Sequence, residues 1–116
     1  MSQTSDWEQR IMGSDGAVDI DTLTEMLLVT RTDVAISAGT FHLDPASTEA
    51  QHRLSAMARI LNRVAPWTGH PRIAFAWFRS QPLPSFGHAT AEDLLKMDRA
   101  GAVEAYLARI SAGGFA

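Results

Sequence analysis

Apolar residues recur along this chain mainly at the three- and four-residue spacing of amphipathic helices, and the sequence contains no convincing strand pattern. The clearest example is a predicted helix over residues 49–64, opened by a capping box of Thr48 and Gln51 and ended by Pro66. Its apolar positions form one narrow seam: Ala50, Leu54, Met57, Leu61 and Val64. Such a seam is usually core; the alternative is a homo-oligomeric adaptor whose dimer interface is formed by Leu54, Met57 and Leu61.

Helix start and end signals predict two short helices before this one. Thr22 with Glu25 forms the pattern of a capping box. Thr32 is predicted to cap the next helix, and Gly39 to end it, because glycine adopts a left-handed backbone without steric cost. The polar segment 1–16 has no sustained period, so we expect it to be mobile.

Three further helices are predicted toward the C-terminus. Pro71 suits the first position of a short apolar helix, and Pro82 and Pro84 force an extended turn after it. Thr90 is expected to cap the next helix. After a break near Asp98, the last helix is predicted to bury Val103, Tyr106, Leu107 and Ile110. The predicted fold class is therefore all-α, a compact single-domain bundle of about six short helices.

Composition narrows the possible functions. The chain of 116 residues has no cysteine, which excludes thiol catalysis, disulfides and cysteine-ligated zinc. Its four histidines lack the i, i+4 spacing of a helical metal site, and no phosphate-binding or nucleophile motif is present. We therefore expect no cofactor, no metal and no enzymatic activity. The apolar runs are too short to span a membrane and no secretory signal is visible, so we expect a cytoplasmic protein.

Charge is unevenly distributed along the chain, whose net charge is −3. Residues 17–50 contain six acids and one base, whereas residues 51–80 contain five arginines and no acid. One interpretation is that the two regions pair within the fold or in a dimer; the other is an arginine surface for an acidic partner. The net negative charge argues against a general nucleic-acid-binding protein.

A helix-turn-helix is half present in the sequence. Ala35 and Gly39 have the spacing of a small packed residue and a turn glycine. The expected recognition helix does not follow, because residues 40–45 contain no Arg or Lys and end on Pro45. We interpret residues 17–47 as a degenerate helix-turn-helix-like region. The weak candidates for DNA contact are Arg31, Arg53 and Arg59.

Four segments in the second half of the chain, in this order, carry a resemblance to a known family. They are RLSAMARILNRVAPWTG (53–69), AFAWFRSQPLPSFG (74–87), TAEDLL (90–95) and AVEAYLARISAGGFA (102–116). Together they resemble the bacterial antitoxins of the Xre/ParS/MbcA type. That family usually has glycine at the positions of His88 and Asp98. Both replacements tolerate a left-handed backbone, so we expect both turns to be kept.

The resemblance implies a partner and a binding region. Antitoxins of this type pair with RES-domain toxins, which resemble ADP-ribosyltransferases and consume or transfer from NAD. Residues 48–116 are then a toxin-binding helical domain, in a homodimer or in a hetero-oligomer with the toxin. The residues implied to contact the toxin are Trp77, Phe78, Arg79, Pro82, Pro84 and Phe86, followed by the tail Gly113, Gly114, Phe115 and Ala116.

The resemblance also implies a role for that tail. It is expected to lie against the toxin's NAD cleft, where the Phe115 ring fills stacking space and the Ala116 carboxylate imitates a phosphate charge. The alternative that the family allows is a helix-turn-helix regulator that represses its own operon.

Overall fold

Six α-helices and one short 3-10 turn make up the part of the chain that the computed structural model describes, residues 18–44 and 46–113. They are α1 (Ile20–Leu27), α2 (Arg31–Ala38), α3 (Thr48–Thr68), α4 (Pro71–Ser80), the 3-10 turn (Pro84–Phe86), α5 (Ala91–Lys96) and α6 (Ala100–Gly113). The predicted all-α single-domain bundle is confirmed. The predictions for segment 1–16, Pro45 and residues 114–116 lie outside the described residues.

Helix α3 lies at the centre of the bundle. It packs against α4 and α6 and also touches α2 and α5. Its apolar seam is core, since Leu54, Met57 and Leu61 are each 0% exposed. The three side chains therefore have no free surface for a second copy of the chain, which corrects the alternative of a dimer interface along this seam.

The bounds of α3 differ from the prediction at both ends. Ser47, not Thr48, is the N-cap, and its Oγ accepts a bond from the Ala50 N–H at 3.1 Å. Pro66 lies inside the helix, which continues to Thr68. A proline here interrupts only the final turn, because Gly69 ends the helix in a left-handed conformation and donates to the Ala65 carbonyl at 2.7 Å.

The side chain of Gln51 has a tertiary role in place of the predicted capping role. Its Oε1 accepts from the Val18 N–H at 2.8 Å, and its Nε2 donates to the Val18 carbonyl at 3.4 Å. These two bonds join the start of the described chain to α3. A capping motif in the sequence cannot distinguish such a long-range use of glutamine from a local one.

The observed N-caps of α1 and α2 lie three and two residues before the predicted caps, Thr22 and Thr32. The side chain of Asp19 caps α1 by accepting from the Asp21 N–H at 3.1 Å, and Thr22 lies inside the helix. Thr30 caps α2 in a reciprocal capping box with Asp33. The hydrogen bonds from Thr30 to the Asp33 carboxylate hold the pKa of Asp33 below its ordinary value. Both N-caps were predicted at the wrong residue because several neighbouring Asp and Thr residues suit an N-cap equally well.

The helix-turn-helix arrangement is formed by α1 and α2, which corrects its predicted position around Gly39. Both helices have eight residues, and Leu28–Thr30 forms the turn between them. Leu28 has a left-handed backbone with φ of 57°, a position that glycine usually occupies in such turns, and its side chain is 64% exposed. Leu27 and Val34 are buried between the helices and the core. Gly39 ends α2, as predicted.

A half-buried arginine on α3 connects the helix-turn-helix to the C-terminal helices. Nη1 of Arg53 donates to the carbonyls of Leu95 and Lys96, at 3.4 and 3.5 Å, at the end of α5. The side chain is 15% exposed and its Nε lies 3.8 Å from Glu49. A Cβ atom on Gly39 would lie 2.9 Å from Arg53 Nη1, so alanine at this turn would require the guanidinium group to shift. Arg53, which the sequence suggested only as a weak candidate for DNA contact, therefore has a structural role.

The contact between Gly39 and Arg53 predicts different costs for two glycine substitutions. Gly39 and Gly69 both have positive φ, of 73° and 85°, but a Cβ on Gly69 would meet nothing within 4 Å. Gly69→Ala should lower the free energy of unfolding by about 1 kcal/mol through backbone strain alone, and Gly39→Ala by about 2 kcal/mol. Urea denaturation measures both. If Gly39→Ala and Gly69→Ala lower the free energy of unfolding equally, the close contact between Gly39 and Arg53 is contradicted.

Candidate functional site

The link between α4 and α5 is a tight turn that presents Phe86. Leu83 and Ala89 form an isolated antiparallel bridge, in which the Leu83 N–H donates to the Ala89 carbonyl at 3.0 Å. Leu83 is extended and only 2% exposed, as the flanking prolines predicted, whereas Pro82 and Pro84 are exposed. The buried Leu83 and the bridge together hold the 3-10 turn and its Phe86 in place.

Two turns in this region need a left-handed backbone at residues other than glycine. His88 has φ of 70° and Asp98 has φ of 65°, which confirms the expectation that both turns are kept. After Asp98, the Arg99 N–H donates to the Leu94 carbonyl at 2.7 Å, and the Asp98 N–H to the Leu95 carbonyl at 3.0 Å. This bonding closes the end of α5 and turns the chain directly into α6.

Four side chains from this turn region and α6 form one row on the surface, which we call the arginine–aromatic strip: Arg99, Phe86, Tyr106 and Arg109. The rings of Phe86 and Tyr106 meet edge to face, with centroids 5.7 Å apart and planes at 74°. The guanidinium carbon of Arg99 lies 5.8 Å from the Phe86 centroid. That of Arg109 lies 6.0 Å from the Tyr106 centroid. Both rings are half-buried and both arginines are exposed.

The strip differs in charge from the rest of the arginine-rich surface. Four arginines have carboxylate partners within 4 Å, in the pairs Arg31–Asp21, Arg53–Glu49, Arg59–Glu104 and Arg79–Glu92. Of these four pairs, only Arg53–Glu49 joins the acidic region 17–50 to the basic region 51–80; Arg59 and Arg79 pair with acids of α6 and α5 instead, so pairing between the two regions is minor. Among the described residues, Arg99 and Arg109 have no ion pair, and neither do Arg63 and Arg72. The strip therefore presents two unneutralised guanidinium groups on either side of an aromatic pair.

The residues implied to bind the toxin do not all lie on the surface. Phe78 is 0% exposed and stacks beside Phe75 with centroids 6.2 Å apart, so it belongs to the core and has no free face for a partner. Trp77 is half-buried against the core. Arg79 is exposed, but it lies over the Phe75 ring and pairs with Glu92.

The remaining implied residues frame the strip. Pro82 and Pro84 are exposed beside Phe86, which itself belongs to the strip. Gly113 is the last residue of α6. The other tail residues, Gly114, Phe115 and Ala116, lie outside the described part of the chain.

Sequence reasoning missed three members of the strip. Arg99 and Arg109 received no role, and Tyr106 was predicted to be on the buried face of the last helix, where it is only half-buried. The one local signal was the i, i+3 spacing of Tyr106 and Arg109 on a helix. The contact of Tyr106 with Phe86 is a tertiary one, which helical periodicity does not predict.

A cleft of ≈ 240 Å³ lies beside the start of α6, between α3 and α5. Its charged lining is already neutralised in part, since Arg59 makes two hydrogen bonds to the Glu104 carboxylate at 3.1 and 3.3 Å, and Arg53 is bonded to carbonyls of α5. In residues 18–44 and 46–113, no three His, Cys, Asp or Glu side chains are grouped as a metal site would require. None of the helices described is both long and apolar enough to cross a membrane.

Comparison with known proteins does not assign a function to this surface. No protein-family model, curated protein or solved structure matches the chain. The family resemblance carried by the four sequence segments therefore stays a prediction.

Proposed function

We propose that this chain is the antitoxin of a type II toxin–antitoxin pair. In this proposal it binds and neutralises a RES-domain toxin, an enzyme that consumes NAD or resembles ADP-ribosyltransferases, and it has no catalytic activity of its own. The binding surface comprises the Pro82–Pro84 turn, the arginine–aromatic strip and the C-terminal end of α6. The chain beyond Gly113 blocks the toxin's NAD cleft.

The backbone at His88 and Asp98 is the observation that carries the proposal. Only three non-glycine residues in the described chain have positive φ, namely Leu28, His88 and Asp98. Two of the three are the positions at which the resemblance expects glycine. A left-handed backbone costs a non-glycine residue roughly 1–2 kcal/mol, so a family with these turns favours glycine there. If the similarity to the family were due to chance, there would be no reason for the positions where the family has glycine to be positions with positive φ in this chain.

The free energies of burying and ordering the tail indicate different roles for the helical surface and the tail. Burial of the Phe115 ring contributes about 1.5–3 kcal/mol. Ordering the tail costs about 1–2 kcal/mol per residue, which offsets that gain. The tail alone therefore binds weakly, and most of the affinity comes from the helical surface. In this proposal the surface determines binding, and the tail determines inhibition.

Removal of the tail tests this division. Deletion of residues 113–116, or the substitution Phe115→Ala, should abolish growth protection in cells that co-express the toxin. Binding should weaken by no more than about tenfold, since the surface is intact. Growth assays and calorimetric titration measure the two effects. The matched control is Phe41→Ala, because Phe41 is a 57% exposed aromatic residue in the loop after α2, outside the proposed binding surface. Full protection by the deletion variant would contradict the blocking role.

A DNA-binding regulator of its own operon is the second candidate function. The observation that favours it is the α1–turn–α2 arrangement, whose second helix begins with the exposed residues Arg31 and Thr32. The surrounding charge weakens this candidate, since Arg31 lies 3.3 Å from Asp21 and Asp33 follows two residues later.

A mobility-shift assay on the promoter DNA of the operon separates the two functions. If α2 contacts DNA, Arg31→Ala should weaken the shift, whereas Arg72→Ala, on the exposed surface of α4, should leave it unchanged. The shift should also diminish steeply as salt increases, because phosphate contacts release counterions. Absence of any shift at low salt, with and without toxin, would exclude the regulator.

A further inference from the structure

We infer that the arginine–aromatic strip binds an acidic segment of a partner protein, with one carboxylate for each guanidinium group and an apolar side chain between them. The inference deepens the proposed function and rests on it, since the partner is the toxin. Arg99 and Arg109 are ten residues apart in sequence. Arg99 directly precedes α6 and its carbonyl accepts from the Ala102 N–H at 3.0 Å, so the helical rise of about 1.5 Å per residue places the two Cα atoms about 15 Å apart. They share one side of the helix because each lies over one ring of the Phe86–Tyr106 pair.

The geometry leaves the hydrogen-bonding edges of both guanidinium groups available. A guanidinium that lies over a ring uses its flat face for the cation–π contact, while its N–H groups point outward from its edge. No carboxylate of the described residues lies within 4 Å of either group. An incoming carboxylate therefore meets guanidinium groups that no carboxylate of the described residues occupies.

The spacing and the rings favour a protein partner over a nucleic acid. Single-strand phosphates follow one another every few ångströms along a backbone, whereas the strip has only two cations, with the aromatic pair between them. Proteins that bind single strands stack bases on free aromatic faces. Here the rings of Phe86 and Tyr106 pack edge to face on each other, and both are half-buried. An apolar side chain of a partner fits against this pair better than a stacked base.

The strip also leads toward the proposed blocking segment. Arg109 lies four residues, about one helical turn, before the end of α6 at Gly113. A partner segment held by Arg99 and Arg109 is therefore aligned with α6 and ends close to the start of the tail.

Charge reversal on the strip tests the inference with a control that the chain itself offers. The test variant is Arg99→Glu with Arg109→Glu; the control is Arg63→Glu with Arg72→Glu, which changes two other exposed arginines that have no ion pair among the described residues. Calorimetric titration with the toxin should show at least about hundredfold weaker binding for the test variant and less than about threefold for the control. The salt dependence of the dissociation constant should also decrease only in the test variant. Thermal unfolding of both variants checks that they are folded.

The outcomes separate the inference from the proposed function. If the toxin binds the wild-type chain and the test variant equally, or if both double variants lose binding equally, the strip inference is overturned and the antitoxin proposal stands. If the toxin does not bind the wild-type chain, the antitoxin proposal fails, and a probe peptide then tests the strip alone.

The probe is hexaglutamate, titrated into the ¹⁵N-labelled chain and followed by amide chemical shifts. Shifts should concentrate at Arg99, Tyr106 and Arg109 and should disappear in the test variant. Equal shifts around Arg63 and Arg72, or stronger binding of a single-stranded DNA oligonucleotide to the same residues, would overturn the inference. So would a wild-type dimer that the test variant converts to a monomer, because the occupant would then be a second copy of the chain.

Discussion

The guanidinium group of Arg53 is the polar contact on which the arrangement of the two ends of the bundle depends. It bonds the last carbonyls of α5, at Leu95 and Lys96, and it lies against Gly39 at the end of α2. Its side chain is 15% exposed and its bond to Leu95 is partly buried, so water competes weakly for that bond. Asp98 and Arg99 follow these carbonyls after one further residue, Met97, so this interaction lies close to the turn at which α6 and the arginine–aromatic strip begin.

The candidate binding surface combines a base of fixed turns with two arginines, Arg99 and Arg109, that have no ion pair among the described residues. The Leu83–Ala89 bridge and the left-handed turn at His88 hold Phe86, and the Asp98 turn sets the start of α6, which carries Tyr106. The Phe86 ring contacts the guanidinium group of Arg99, and the Tyr106 ring contacts that of Arg109. A binding surface built on fixed elements loses little conformational entropy when a partner docks, which is an advantage for a protein whose proposed role is to hold a toxin inactive.

Local patterns in the sequence predicted the fold class well, and tertiary contacts account for most of what they missed. The helix that Thr90 caps and the end of α2 at Gly39 were predicted correctly, because a cap or a left-handed glycine acts within a few residues. The start of α1 was wrong, since neighbouring polar residues are all suitable caps. Pro66 was wrongly expected to end α3, although a proline in the last turn is tolerated. The contact of Phe86 with Tyr106 joins separate elements and leaves no periodic signal.

Amide hydrogen exchange of the chain, alone and with the toxin, tests the central claim most directly, because it locates the surface that the partner covers. The account predicts slower exchange on binding in residues 83–90 and along α6 up to Gly113, with no change in α1 and α2. Protection confined to α1 and α2, or no protection in any described segment at saturating toxin, would contradict the claim that the C-terminal surface is the site of binding.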